Sequence, residues 1–277
     1  MSRVPIPLVA LIATGLMLGG CASRNAGRGG DITGSIPQRS EAQWRSEIDQ
    51  LAAKYQSSPN DAANAMLYAR ALRGTGQSAQ AVAVIERVAL RDSSNMAVLG
   101  EYGRALAEVG RNDHAYEVLS RSHRADQPDW RVLNVQGTVL DSMGRHPEAQ
   151  NHYNDALKIS PGEPNVLANL GLSLALTRRL PEAERVLRQA VAHPRADIRA
   201  RQNLALVIGL QGRFDEARQM AMKDLPPAEA EANVMVLRRM LSQPNSWAQL
   251  RQTDQRARPR TAQAPRPTAS PAEQPFD

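Results

Sequence analysis

The side chains able to do chemistry are few. His114, His123, His146, His152 and His193 are the five histidines of the 277-residue chain. None stands in a His-Glu-x-x-His pair, which would set two imidazoles one helical turn apart around a metal, and none has a cysteine beside it to complete a zinc site. In the repeat register set out below, His114, His146 and His193 fall at helix starts or ends, where capping or solvent-facing roles suffice. Ser-x-x-Lys, Gly-x-Ser-x-Gly and phosphate-loop spacings do not occur. Glu182 and Glu184 are paired acids, but two positions apart on a helix they alternate faces and read as surface charge. The residues therefore indicate a non-enzyme with no cofactor, no metal and no small-molecule substrate. Cys21 is the only cysteine, so an intramolecular disulfide is impossible and stability must come from packing.

The setting of Cys21 gives it a different chemistry. Met1-Ser2-Arg3 is a short positive segment, and residues 4–18 are an apolar run interrupted by Pro5, Pro7 and Gly15, too short for a comfortable membrane span. The sequence Leu18-Gly19-Gly20-Cys21-Ala22 resembles the bacterial lipobox, departing from its commonest form at Gly19. The resemblance implies that residues 1–20 are a signal peptide and that Cys21 is acylated after cleavage. Several acyl chains at one residue anchor far more firmly than one. Ala22 after the cysteine implies sorting to the outer membrane, with the protein facing the periplasm. Residues 21–40 are rich in Ser, Gly, Asn and Arg and show no apolar periodicity, which predicts a flexible tether. Residues 244–277, rich in Pro and Arg, predict a disordered tail.

The net charge of +6 raises the question of nucleic acid. The arginines are dispersed, however, with no basic block and no interleaved aromatics, and aromatic residues make up only 4% of the chain. A solvated basic surface follows, and nucleic acid is not expected as a partner. A composition of 42% hydrophobic and 22% charged residues is that of an ordinary soluble fold.

Periodicity organises the rest. Gly76, Gly110, Gly144 and Gly212 are spaced at multiples of 34 residues, with Arg178 at the one missing place. Ala81, Ala115, Ala149, Ala183 and Ala217 follow five positions later in every unit. A small residue recurs at Ala69, Gly103, Gly137, Gly171 and Ala205, and an aliphatic one at Leu72, Leu106, Leu140, Leu174 and Ile208. Apolar residues three, four and seven apart, as at Leu167, Leu170, Gly171 and Leu174, paint one face of a helix. The small residues belong where two helices cross most closely, and the recurring glycine belongs at a helix stop. Pro147 and Pro181 suit first turns, while Asp129 and Asp197 stand as caps. The register gives five units over 62–231, beginning at 62, 96, 130, 164 and 198. Residues 41–61, with Trp44, Ile48 and Leu51, predict an N-terminal half repeat, and 228–243 a C-terminal capping helix.

With these residues the core resembles a tetratricopeptide (TPR) domain, which implies an all-α solenoid of antiparallel helix pairs. The units around Gly103–Ala115–Pro128 and Gly137–Ala149–Pro161 are the best copies, and the last departs most, with Arg201 for an apolar residue and Ala221 for a bulky one. Together with the lipobox, the Asp31–Ile36 tether and the length, the chain resembles the TadD-like lipoproteins of Flp (tight-adherence) pilus assembly. That likeness implies protein partners at the outer membrane, a secretin or pilus assembly component. A periplasmic adaptor for peptidoglycan or other envelope enzymes is the alternative.

The resemblance also points to a binding face, because the first helix of each TPR unit lines the groove. In this register Arg70, Arg73, Arg104, Asn134, Thr138, Asp141, Asn165 and Gln202 point inward, and Asn169 and Asn203 recur at one repeat position suited to a partner's backbone. The arginines favour an acidic or amide-rich segment.

Overall fold

The computed structural model describes residues 40–124 and 126–242. The signal peptide, Cys21, all but the last residue of the tether, and the Pro/Arg-rich tail lie outside the described residues. Within them the chain is entirely helical apart from one isolated bridge between Arg124 and Gln127, and twelve helices follow one another. They are α1 (Glu41–Ser57), α2 (Ala62–Gly74), α3 (Ser78–Arg91), α4 (Met96–Glu108), α5 (Asn112–Ser120), α6 (Trp130–Ser142), α7 (His146–Ile159), α8 (Pro164–Leu176), α9 (Leu180–Ala192), α10 (Ile198–Leu210), α11 (Phe214–Ala221) and α12 (Pro227–Ser242).

The even-numbered helices α2 to α10 are the first members of five pairs. Each packs on its own second helix, each second helix packs on the next first helix, and the first helices of neighbouring units also touch one another. This is the packing of a TPR solenoid. No helix among the described residues is long and apolar enough to cross a membrane.

Local sequence explains where each helix begins. Asp61, Asn95, Asp129 and Asp197 stand before α2, α4, α6 and α10, and each side chain accepts a backbone N–H of the first turn. Glu163 holds the fifth such place and leaves the first turn uncapped, but Pro164 follows it and removes one of the helix start's unpaired N–H donors. Ser40 and Gln43 form a reciprocal capping box on α1.

The turn inside each unit is a Schellman closure. Gly76, Gly110, Gly144 and Gly212 have φ between 75° and 83°, and Arg178 takes the same left-handed conformation at φ 65°. The next residue donates its N–H back to the first helix, as Arg145 does to the Leu140 carbonyl at 2.9 Å and Arg179 to Leu174 at 2.9 Å. Those arginines then reach forward three residues: Arg145 Nε to Glu148, Arg179 Nε to Glu182 and Arg213 Nε to Glu216, at 2.7, 2.9 and 2.9 Å. An Arg-x-x-Glu pair thus marks the start of three second helices and complements the helix dipole with its acid.

The core lies where first and second helices cross. A Cβ on Gly103 would sit 2.5 Å from Leu119 Cγ, and one on Gly137 2.5 Å from Tyr153 Cε1. Gly171 meets Leu187 in the same way. Leu119, Tyr153 and Leu187 are one repeat apart and almost wholly buried, so each of the three middle units fits a bulky second-helix residue over a bare backbone. In the last unit Ala205 takes the glycine's place and Ala221 that of the bulky residue. There Ala230 of α12 completes an alanine cluster, and Leu237 lies over Gly209. At the other end Trp44 of α1 covers Gly74.

Two local features depart from the repeat. The second helix of the second unit stops at Ser120, short of those in the first, third and fourth units, and Ser120 and Ser122 turn their hydroxyls onto the carbonyls of Tyr116 and Leu119. Arg201, at an apolar position, is accommodated by a paired contact with Asp224 at 2.7 and 2.6 Å.

Candidate protein-binding face

The first helices place the sequence-derived polar residues in three groups. At the junction of the first two units, Arg70, Arg73 and Arg104 converge on Glu101, a carboxylate with no solvent exposure. Arg70 Nε donates to Glu101 Oε2 at 2.9 Å, and Arg104 Nη1 lies 3.9 Å from the same oxygen. Arg73 bonds Glu101 Oε1 and holds Glu108 through Nε at 2.9 Å and Nη2 at 2.6 Å. Burial pushes the Glu101 carboxyl up, but the guanidinium groups of Arg73, Arg104 and Arg70 outweigh it and hold the group below the usual carboxylate range. The arginines are therefore not three independent cations, and Arg73, with only 4% of its side chain exposed, is enclosed between two acids.

The second group lies at the junction of the third and fourth units. Asn169 Nδ2 donates to Asn134 Oδ1 at 3.0 Å, and Thr138 Oγ1 donates to the Asn134 carbonyl. Asn134 is completely buried, and its Nδ2 has no hydrogen-bond partner. A buried amide with one satisfied acceptor and an unsatisfied donor costs about 1–3 kcal/mol. Gln202 and Asn203 continue this amide-rich run into the last unit, half-buried and with no side-chain hydrogen bond among the described residues.

Asp141 and Asn165 have structural partners. Asp141 accepts from His146 Nδ1 at 2.8 Å, Tyr153 Oη at 3.0 Å and Ser173 Oγ at 2.8 Å, and so ties the third unit to the fourth. A carboxylate only accepts, which puts the His146 proton on Nδ1. Burial, with the Asp141 charge adding, drives the Tyr153 phenol well above its ordinary value, so it remains a donor. Asn165 donates to Glu163, which also receives Arg195.

Glu101, Glu108 and Glu163 escaped the sequence reading. The available signal was positional: Glu101 shares a repeat position with Leu67, Val135, Asn169 and Asn203, the only acid in that column, three residues before Arg104. Glu184, expected at the surface from helical spacing, has a side chain only 13% exposed and receives Gln211 at 2.7 Å, Arg188 and Arg213, linking the last two units. Among the described residues no group of three His, Cys, Asp or Glu side chains is placed to hold a metal ion.

These features define a class: a stack of antiparallel helix pairs with a 34-residue period, carrying a polar face on its first helices. Family models of the tetratricopeptide repeat match residues 66–129, 142–207 and 198–221, and the chain is a tetratricopeptide-repeat protein. Among solved structures, the thermophilic TPR protein TTC0263 of Thermus thermophilus is 20% identical with a TM-score of 0.56, over 64% of this chain and 98% of that one. The Cut9-Hcn1 hetero-tetramer of the APC/C is 17% identical with a TM-score of 0.56, over 79% of this chain and 40% of that one. Pseudomonas aeruginosa pilF is 18% identical with a TM-score of 0.50, over 76% and 91%. At these identities the likeness is one of fold. No curated protein matches the chain by sequence.

Proposed function

We propose that the chain is a lipid-anchored, non-catalytic scaffold of the outer membrane, facing the periplasm, which holds a protein during assembly of an Flp/Tad-type pilus or its secretin. TPR arrays bind protein partners, and the observation that supports a partner on this face is the run of half-buried amides Asn169, Gln202 and Asn203. Asn169 is oriented by its bond to the buried Asn134 Oδ1, and such amides suit the backbone of an extended segment. Anchoring rests on the resemblance of Leu18–Ala22 to a lipobox, and the pilus assignment on the resemblance to TadD-like lipoproteins.

The test is genetic and biochemical together. Cys21→Ser should release the protein from membranes and abolish surface pili. Normal pili and normal secretin multimers after complete deletion would overturn the assignment. Copurification of a peptidoglycan enzyme without secretin or pilus protein would move the scaffold to envelope-enzyme assembly instead.

A further inference from the structure

The first-helix face changes character along the stack. The column that begins with Arg70 and Arg104 continues with Thr138, Leu172 and Leu206, and the column one turn later runs Gly74, Glu108, Ser142, Leu176 and Leu210. In the last two units both columns are therefore leucine, and all four leucines are half-buried. Their helices, α8 and α10, touch one another, so the four positions form one strip. That strip carries no charge: α8 has no acid or base over its whole length, and α10 has none from Gln202 to Leu210. The arginines in the first turn of α10 are occupied, Arg199 with Asp197 at 2.8 Å and Arg201 with Asp224 at 2.7 Å. Asn169 and Asn203 stand three residues before Leu172 and Leu206, which sets an amide at one end of each leucine row.

We propose that the last two units take an extended, uncharged protein segment that bears two large aliphatic side chains two residues apart. Leucines four residues apart on a helix lie about 6 Å apart along its axis, and alternate side chains of an extended strand lie about 6.6 Å apart. One segment running along the strip thus sets both of its aliphatic groups against leucine. The amides favour this occupant over a helix: helical backbone groups bond one another, whereas an extended backbone leaves its carbonyls and N–H groups for Asn169 and Asn203. An acidic or basic side chain would lose its water here with no opposite charge to meet it. The inference rests on the groove-binding reading above and deepens it by naming the chemistry of the segment.

The experiment uses the full-length chain in phosphatidylcholine nanodiscs and three neutral-dye-labelled, C-terminally amidated Gly/Ser peptides. Their central sequences are Thr-Leu-Thr-Leu-Thr, Leu-Thr-Thr-Thr-Leu and Thr-Glu-Thr-Glu-Thr. Fluorescence anisotropy, with empty nanodiscs as the blank, should show the first probe binding about tenfold or more tightly than the other two, and salt should leave its binding unchanged. Leu172→Gln together with Leu206→Gln should remove the preference and keep the helical circular dichroism. Should that double variant unfold, Leu176→Gln carries the test, with a reduced preference expected. Asn203→Ala should weaken the first probe while its advantage over the acidic one remains. Equal binding of the first two probes, tighter binding of the second or third, no binding above the blank, or a preference unchanged in the leucine variants would each overturn the inference. Capture of a secretin or pilus protein alongside such a failure would leave the scaffold reading standing. A preference for the first probe without any such capture would do the reverse.

Discussion

Asn169 donates its amide to Asn134 across the boundary between two units, at 3.0 Å, and the Asn134 Nδ2 beside it is buried with nothing to bond. A core position of this kind costs stability, while its Oδ1 orients the half-buried Asn169 amide. Asn and Leu branch at the same carbon, and Asn169 is open enough to turn its amide to water. Asn134→Leu should therefore hold or raise the unfolding free energy, by up to about 1 kcal/mol, while reducing capture of the partner. Urea denaturation and affinity capture on the same preparations check both halves.

Gly137 and Tyr153 test the helix crossing. A methyl group on Gly137 would meet the Tyr153 ring at 2.5 Å, and that ring is buried with its hydroxyl committed to Asp141. Gly137→Ala should cost about 1–3 kcal/mol by overpacking, despite the better helix propensity of alanine. An unchanged denaturation midpoint would mean that the ring has room to move.

Arg178 stands where the other units use glycine, in the left-handed conformation. Glycine adopts that conformation without strain but costs more backbone entropy on folding. Arg178→Gly should raise stability by about 0.5–1 kcal/mol, and Gly144→Arg should lower it by about 1–2 kcal/mol. Thermal unfolding of the two variants should move in opposite directions.

His152 predicts a pH dependence. Its ring lies edge-on to Tyr116 and its Nδ1 has no hydrogen-bond partner. Burial holds its pKa below the ordinary 6.5, against the pull of Asp155. The unfolded chain therefore takes up the proton first, so this contribution is whole above about pH 6.5 and is lost as pH falls through the folded value. Melting temperature should fall from pH 7.5 towards 5.5, and His152→Phe should flatten that limb. Glu101 acts lower: its depressed folded pKa supplies stability above its ordinary 4.5, lost at more acid pH.

What could be read from sequence is what repeats. The helix pairs, the caps at Asp129 and Asp197 and the small residues at the crossings recur every 34 residues, so each unit corroborates the others. Residues present in one unit only were harder to read. Glu101 breaks its column, and the fate of Arg70, Arg73 and Arg104 depended on it, because a long guanidinium side chain selects its partner by tertiary distance across 28 to 35 residues of sequence. The same applies to Glu184, which helical spacing assigned to the surface and which the neighbouring unit covers with Gln211 and Arg213. The short α5 ends among serine hydroxyls turned onto backbone carbonyls, which leave no mark on the period.

The central claim is that a protein partner sits on the first-helix face, and a photocrosslinker placed in living cells tests it most directly. One version carries the crosslinking residue at Asn169 on that face, the other at Leu90, which is 78% exposed on a second helix. The scaffold account predicts an adduct with a secretin or pilus component from position 169 and none from position 90. Adducts from position 90 alone, or from neither position, would contradict it.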